Sequence, residues 1–158
     1  MNKISVLVIN GPNINMLGSR EPDIYGHTGY EELVLLINKW AAELGIRVET
    51  RQSNHEGDIV DWIQDAPSSF DAIVINPAAY THTSIAILDA LRSVMLPAVE
   101  VHISNLANRE EFRHISYIRK ACIDSVIGEG LQGYLHAIDI LVSVVFIFPR
   151  SLFEYTPF

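Results

Sequence analysis

Five short strand-like runs recur along the chain, and a segment with helical character or turn signals follows each one. This alternation constrains the fold more than any other feature. The runs are residues 4–9, 46–51, 72–76, 98–103 and 124–127. The first is apolar throughout, as expected of a strand buried on both faces of a parallel sheet. The second alternates with charge and reads as a more exposed strand. The order predicted is β-α repeated five times. It predicts an α/β fold: a flavodoxin-like three-layer sandwich, with a five-stranded parallel sheet and helices on both faces.

Local signals place the helices. Thr28-Gly29-Tyr30-Glu31 has the form of a capping box, followed by Leu33, Leu36, Ile37, Trp40, Ala41 and Leu44 at helical spacing, with Gly45 as the stop. Ser53-Asn54-His55-Glu56 has the same form and opens a helix through Ile59, Trp62 and Ile63. Pro67-Ser68-Ser69 breaks the chain. Further helices are predicted over 85–94, over a short stretch at 109–112 capped by Asn108, and over 131–144. One connection is unusual. The stretch from Asn10 to Thr28 is long for a strand-to-helix loop, where about two to six residues are usual, and loops of such length commonly carry function. It holds Arg20 and Tyr25.

The totals exclude several classes. A chain of 158 residues without linkers, repeats or low-complexity tracts is expected to form one domain, 1–158, its last 18 or so residues an apolar tail. A net charge of −8 without a basic stripe argues against nucleic acid and against an anionic membrane surface. The single cysteine, Cys122, permits no internal disulfide and fits a reducing, cytoplasmic setting. No signal peptide is expected from the six-residue first apolar run, and the run 140–148 is too short to span a bilayer.

In open α/β sheets ligands bind outside the carboxyl ends of the strands. Amides, hydroxyls and imidazoles gather there: Asn10 and Asn13 after strand one, Gln52 and Asn54 after strand two, Asn76 and His82 after strand three, His102 and Ser104 after strand four. In Glu100-Val101-His102-Ile103-Ser104 the period of two puts Glu100, His102 and Ser104 on one face. A carboxylate two residues from an imidazole can orient it and favour its cation, as a general acid needs. A hydrogen-bonded structural histidine would show the same pattern. No histidine pair has metal-ligand spacing, and no metal is expected. Gly128-Glu129-Gly130-Leu131-Gln132-Gly133 matches GxGxxG, but too little chain follows for a dinucleotide fold, so the glycines are read as a tight turn. Lys3, Lys39 and Lys120 all lie away from the carboxyl edge, which argues against a Schiff base. Two readings remain open on the residues alone. One is a cofactor-free acid–base enzyme with Tyr25 as base and His102 as acid. The other is a flavodoxin-like nucleotide- or flavin-binding module.

Several blocks together resemble type II 3-dehydroquinate dehydratase. They are Asn10-Gly11-Pro12-Asn13, Gly18-Ser19-Arg20-Glu21-Pro22, Tyr25-Gly26, residues 52–57, residues 76–84, and residues 100–105 followed by Arg109-Glu110-Glu111-Phe112-Arg113. The resemblance implies dehydration of 3-dehydroquinate to 3-dehydroshikimate without metal or cofactor, in the shikimate or quinate pathways. It implies Tyr25 as the base at C2, activated by Arg20, and Asn13 as stabiliser of the enolate oxygen. His102 would protonate the departing C1 hydroxyl, held by Glu100. Substrate contacts would come from Asn76, His82, Ile103, Ser104 and Arg113, with Arg109 beside Arg20 near a closing loop. The resemblance further implies a homododecamer built from trimers, with Asp89 reaching a neighbouring subunit's site. Departures from the family pattern are Leu106-Ala107-Asn108, Arg119-Lys120, Cys122-Ile123-Asp124 and Glu129, all expected to lie clear of the catalytic positions, and the tail after Ile140.

Overall fold

The computed structural model describes residues 3–19 and 28–149. Five parallel strands form one sheet: β1 Ser5–Asn10, β2 Arg47–Gln52, β3 Ala72–Asn76, β4 Ala98–His102 and β5 Asp124–Ile127. Their spatial order is β2-β1-β3-β4-β5, every neighbouring pair parallel. Among the described residues four α-helices accompany them: α1 Tyr30–Leu44, α2 Glu56–Asp65, α3 Ile85–Val94 and α4 Gln132–Ile147.

Alternation along the strands divides the core. Val6, Val8, Val74, Val99 and Val101 face Leu33 and Ile37 of α1 and Tyr134, Ile138 and Leu141 of α4. Leu7, Ile9, Ile73, Ile75 and Ala98 face Ile59 and Ile63 of α2 and Ile87, Leu88 and Leu91 of α3. The three-layer α/β architecture therefore follows from the two-residue period. β2 is one of the two edge strands and its side chains are half-exposed, as its charges indicated. Trp40 Nε1 donates to Asp139 Oδ1 at 2.8 Å, tying α1 to α4.

Several local expectations are corrected. The fourth crossover carries no α-helix. It consists of 3₁₀ turns at Leu106–Asn108, Glu111–Arg113 and Ile118–Ala121. Phe112 and Ile115 are exposed, Ile118 is fully buried, and Tyr117, Ala121 and Cys122 pack against the core only in part, so this segment has no apolar stripe for a longer helix to bury. Asn105, not Asn108, caps the first of these turns, accepting from the Ala107 N–H. Neither capping box forms. Gly29 precedes α1 without a side-chain cap. Before α2, Ser53 Oγ accepts from the His55 N–H and donates to Asp58, so the helix starts at Glu56 with His55 as its uncapped N-terminal neighbour. Helix α3 has the predicted bounds, with Ser84 Oγ accepting from the Ile87 N–H. Helix α4 continues to Ile147, one turn beyond the expected end, because Leu141 and Val145 still pack inward. Phe146, Ile147 and Phe148 are exposed. Residues 150–158 of the expected apolar tail lie outside the described residues, as do Arg20 and Tyr25.

Candidate active site

The strand order reverses between β1 and β3, and the cleft lies at that end of the sheet. It is lined by Pro12, Asn13, Ile14, Met16 and Leu17 after β1, and by Asn76, Ala78, Ala79 and His82 after β3. His102, Ile103, Ser104, Leu106, Arg109 and Arg113 complete it from β4 and the fourth crossover. Nine of the twelve residues singled out in the sequence thus line one cleft or pair directly with a residue that does. They are Asn13, Asn76, His82, Glu100, His102, Ile103, Ser104, Arg109 and Arg113.

Close backbone approach builds its floor. The Gly11 N–H donates to the Asn76 carbonyl at 2.7 Å, and a Cβ on Gly11 would run into the Pro77 carbonyl. Asn13 sits in the left-handed region (φ 68°), a conformation that asparagine tolerates better than most residues. Its N–H donates to Asn54 Oδ1 at 2.9 Å, and Gln52 Nε2 donates to the same oxygen at 3.1 Å. The amides after β2 therefore brace the loop after β1. The GxGxxG stretch is a tight turn, as read. Gly128 and Gly130 have φ 78° and 62°, and their N–H groups donate to the carbonyls of His102 and Ile103. The turn pins the end of β4.

The chemical centre is the His102–Glu100 pair. Nε2 of His102 lies 2.7 Å from Glu100 Oε1; Glu100 is fully buried and His102 is 5% exposed. The same oxygen accepts from the Thr81 hydroxyl and, at 2.8 Å, from the Ser116 hydroxyl. Arg119 Nε faces the other oxygen, Oε2, at 3.4 Å. Burial pushes the Glu100 carboxyl up, but the His102 hydrogen bond and charge, then the two hydroxyls, outweigh it and bring it down to about 2. Glu100 is therefore an ionised carboxylate in the core, tolerable only because it is surrounded by donors.

Asn76 is buried and held at both ends. Its Oδ1 accepts from the Ala78 N–H at 3.1 Å, and its Nδ2 donates to the Tyr134 hydroxyl at 2.7 Å. That hydroxyl donates in turn to Asn10 Oδ1 at 2.6 Å. His82 Nδ1 meets the Ile115 carbonyl at 2.6 Å and acts as donor, which leaves Nε2 as an acceptor. Burial lowers the His82 pKa; the Ile115 bond opposes this, while nearby His102 and Arg113 add to it. Arg109 and Arg113 share Glu110, at 3.5 and 2.9 Å from Oε2. Asp89 lies on the exposed face of α3 and does not line the cleft of its own chain. Burial, and then Glu100, push the Cys122 thiol up to about 12, so it is a packing residue at neutral pH.

Four contributors went unrecognised in the sequence: Thr81, Ser116, Arg119 and Tyr134. Arg119 corrects an expectation directly, because this departure from the family pattern pairs with Glu100. No local signal marks Ser116 or Arg119, which sit on the crossover between β4 and β5, Arg119 in its last 3₁₀ turn. Tyr134 falls on the apolar face of α4 and reads as core until its hydroxyl is traced.

The fold and the cleft define a doubly wound α/β protein with a buried histidine–carboxylate pair beside a cleft at its topological switch point. The family model described as Dehydroquinase class II matches residues 4–142. A 3-dehydroquinate dehydratase of Corynebacterium glutamicum (strain R) is 52% identical over 139 residues, covering 88% of this chain and 96% of the relative. Another, from Lachnoclostridium phytofermentans, is 54% identical over 142 residues, covering 89% and 98%. The crystal structure of a type II dehydroquinase from Butyrivibrio crossotus superposes with a TM-score of 0.87 at 54% identity, covering 89% of this chain and 98% of that one. This chain belongs to the class II dehydroquinase family. That membership disfavours the nucleotide- or flavin-binding alternative. Among the described residues no helix is long and apolar enough to cross a membrane.

Proposed function

We propose that this chain is a hydro-lyase that converts 3-dehydroquinate to 3-dehydroshikimate and water, serving the shikimate pathway or quinate breakdown. The observation that carries the reading is the buried His102–Glu100 pair, with His102 lining a cleft that also holds Asn13, Asn76 and two arginines. Family membership supplies the substrate.

In this reading Tyr25, as phenolate, removes the C2 proton. A free phenol titrates near 10, so the base needs Arg20 beside it. The electron pair moves into an enolate whose oxygen is stabilised by Asn13. The enolate then collapses to the C1–C2 double bond, and the C1 hydroxyl departs as water with a proton from His102. Glu100 occupies Nε2 of His102, so Nδ1 carries that proton. Asn76, His82, Ser104 and the Ile103 backbone orient the ring, and Arg113 and Arg109 meet its carboxylate and hydroxyls. In this reading the chain's own groups carry the reaction, without metal or cofactor.

The chain 1–158 acts as one catalytic domain in the cytoplasm. It assembles into trimers and then a homododecamer, in which the exposed Asp89 of one subunit serves the cleft of the next. Sedimentation of the purified protein tests the assembly. Addition of 3-dehydroquinate to chelator-treated protein tests the activity. Enone absorbance is expected to grow; its absence overturns the functional reading.

A further inference from the structure

We propose that Arg119 is a positioning residue for the reaction. Its guanidinium holds the outer oxygen of Glu100, shares that carboxylate with His102, and thereby sets the pH range over which His102 delivers its proton. The inference rests on the reading of His102 as general acid. Three features of the geometry carry it.

First, the two oxygens of Glu100 are divided. Oε1 takes His102, Thr81 and Ser116, while Oε2 faces Arg119 Nε at 3.4 Å. Second, Arg119 also acts through its backbone, whose N–H donates to Ser116 Oγ at 3.0 Å and so orients the hydroxyl that holds Oε1. Third, the turn bearing Arg119 is anchored. Ile118 is fully buried, and the Tyr117 N–H donates to the Thr81 carbonyl at 2.9 Å. The guanidinium is thus delivered to a fully buried carboxylate by fixed chain, which an incidental surface pair does not require. Arg119 does not line the cleft, so it acts on the substrate only through Glu100 and His102.

The direction of its effect follows from charge. A cation at Oε2 weakens the pull of Glu100 on the imidazolium and repels that imidazolium itself. Removing it strengthens the hold on the His102 proton. Among the described residues, the other titratable or charged groups facing the pair are His82 after β3, Arg109 and Arg113 on the fourth crossover, and Cys122 before β5. All four are left in place by a change at 119, so the comparison between variants isolates Arg119.

The test compares wild type, Arg119→Met and Arg119→Lys on 3-dehydroquinate. It records kcat and KM across pH and follows the His102 imidazole titration by NMR, assigned with His102→Gln. In Arg119→Met, the alkaline limb of kcat and the His102 titration midpoint should both move up by about 0.5–1 pH unit, with KM nearly unchanged. Arg119→Lys should return most of that displacement. A limb and midpoint that stay in place, or a loss of kcat that is uniform in pH, would overturn the inference. If wild type fails to turn over 3-dehydroquinate, the functional reading falls, and the His102 midpoint still decides whether Arg119 sets the pair.

Discussion

Replacing Glu100 by Gln tests the charge at the centre of the site without changing its shape. The carboxylate is held at about 2 against an ordinary value of 4.5. At about 1.4 kcal/mol per pH unit, that difference contributes about 3 kcal/mol to folding. Because the folded-state value is depressed, the contribution is fully present above pH 4.5 and is lost as pH falls toward 2. The amide cannot titrate, and it presents an N–H₂ group to donors that expect an acceptor. Glu100→Gln should therefore be less stable than wild type by about 3 kcal/mol at pH 7, and the gap should shrink to about 1 kcal/mol at pH 3. Urea unfolding at fixed protein concentration, followed by tryptophan fluorescence at the two pH values, measures both gaps. An equal gap at pH 7 and pH 3 would refute the depressed value and with it the picture of Glu100 as an ionised hub.

Other expectations follow from single contacts. Tyr134→Phe strips the hydroxyl that joins Asn76 to Asn10 in the core. It should cost about 2–4 kcal/mol in urea unfolding and lower kcat/KM on 3-dehydroquinate, since Asn76 loses its support. Gly11→Ala forces the loops after β1 and β3 apart. A loss of about 1–3 kcal/mol is expected, with a rise in KM, and an unchanged KM would speak against the close approach as a determinant of the cleft. Tyr25→Phe should nearly abolish turnover while calorimetry still detects substrate binding; near-normal turnover would remove Tyr25 as the base.

Much of the framework was legible because strand and helix periods are local. The bounds of β3, β5 and α3 are those the sequence predicted. The carboxyl-edge cluster was legible for the same reason: five strands in alternation leave one edge for Asn13, Asn76, His82 and His102. What escaped is what depends on tertiary choice. Ser53 could have capped α2 at Glu56 but is satisfied by His55 and Asp58 instead. The fourth crossover lacks periodicity, so neither its 3₁₀ turns nor the approach of Ser116 and Arg119 to Glu100 has a sequence signature. Arg119 stood out only as a departure from the family pattern. Its significance depends on Glu100, nineteen residues away in the chain.

In the proposed reaction His102, held by Glu100, is the proton donor of a dehydration. The most direct measurement is enone formation from 3-dehydroquinate by wild type and by His102→Gln under identical conditions. Wild type should produce the enone and the variant should be slower by about 10²- to 10⁴-fold. A variant that keeps pace with wild type would contradict the assignment.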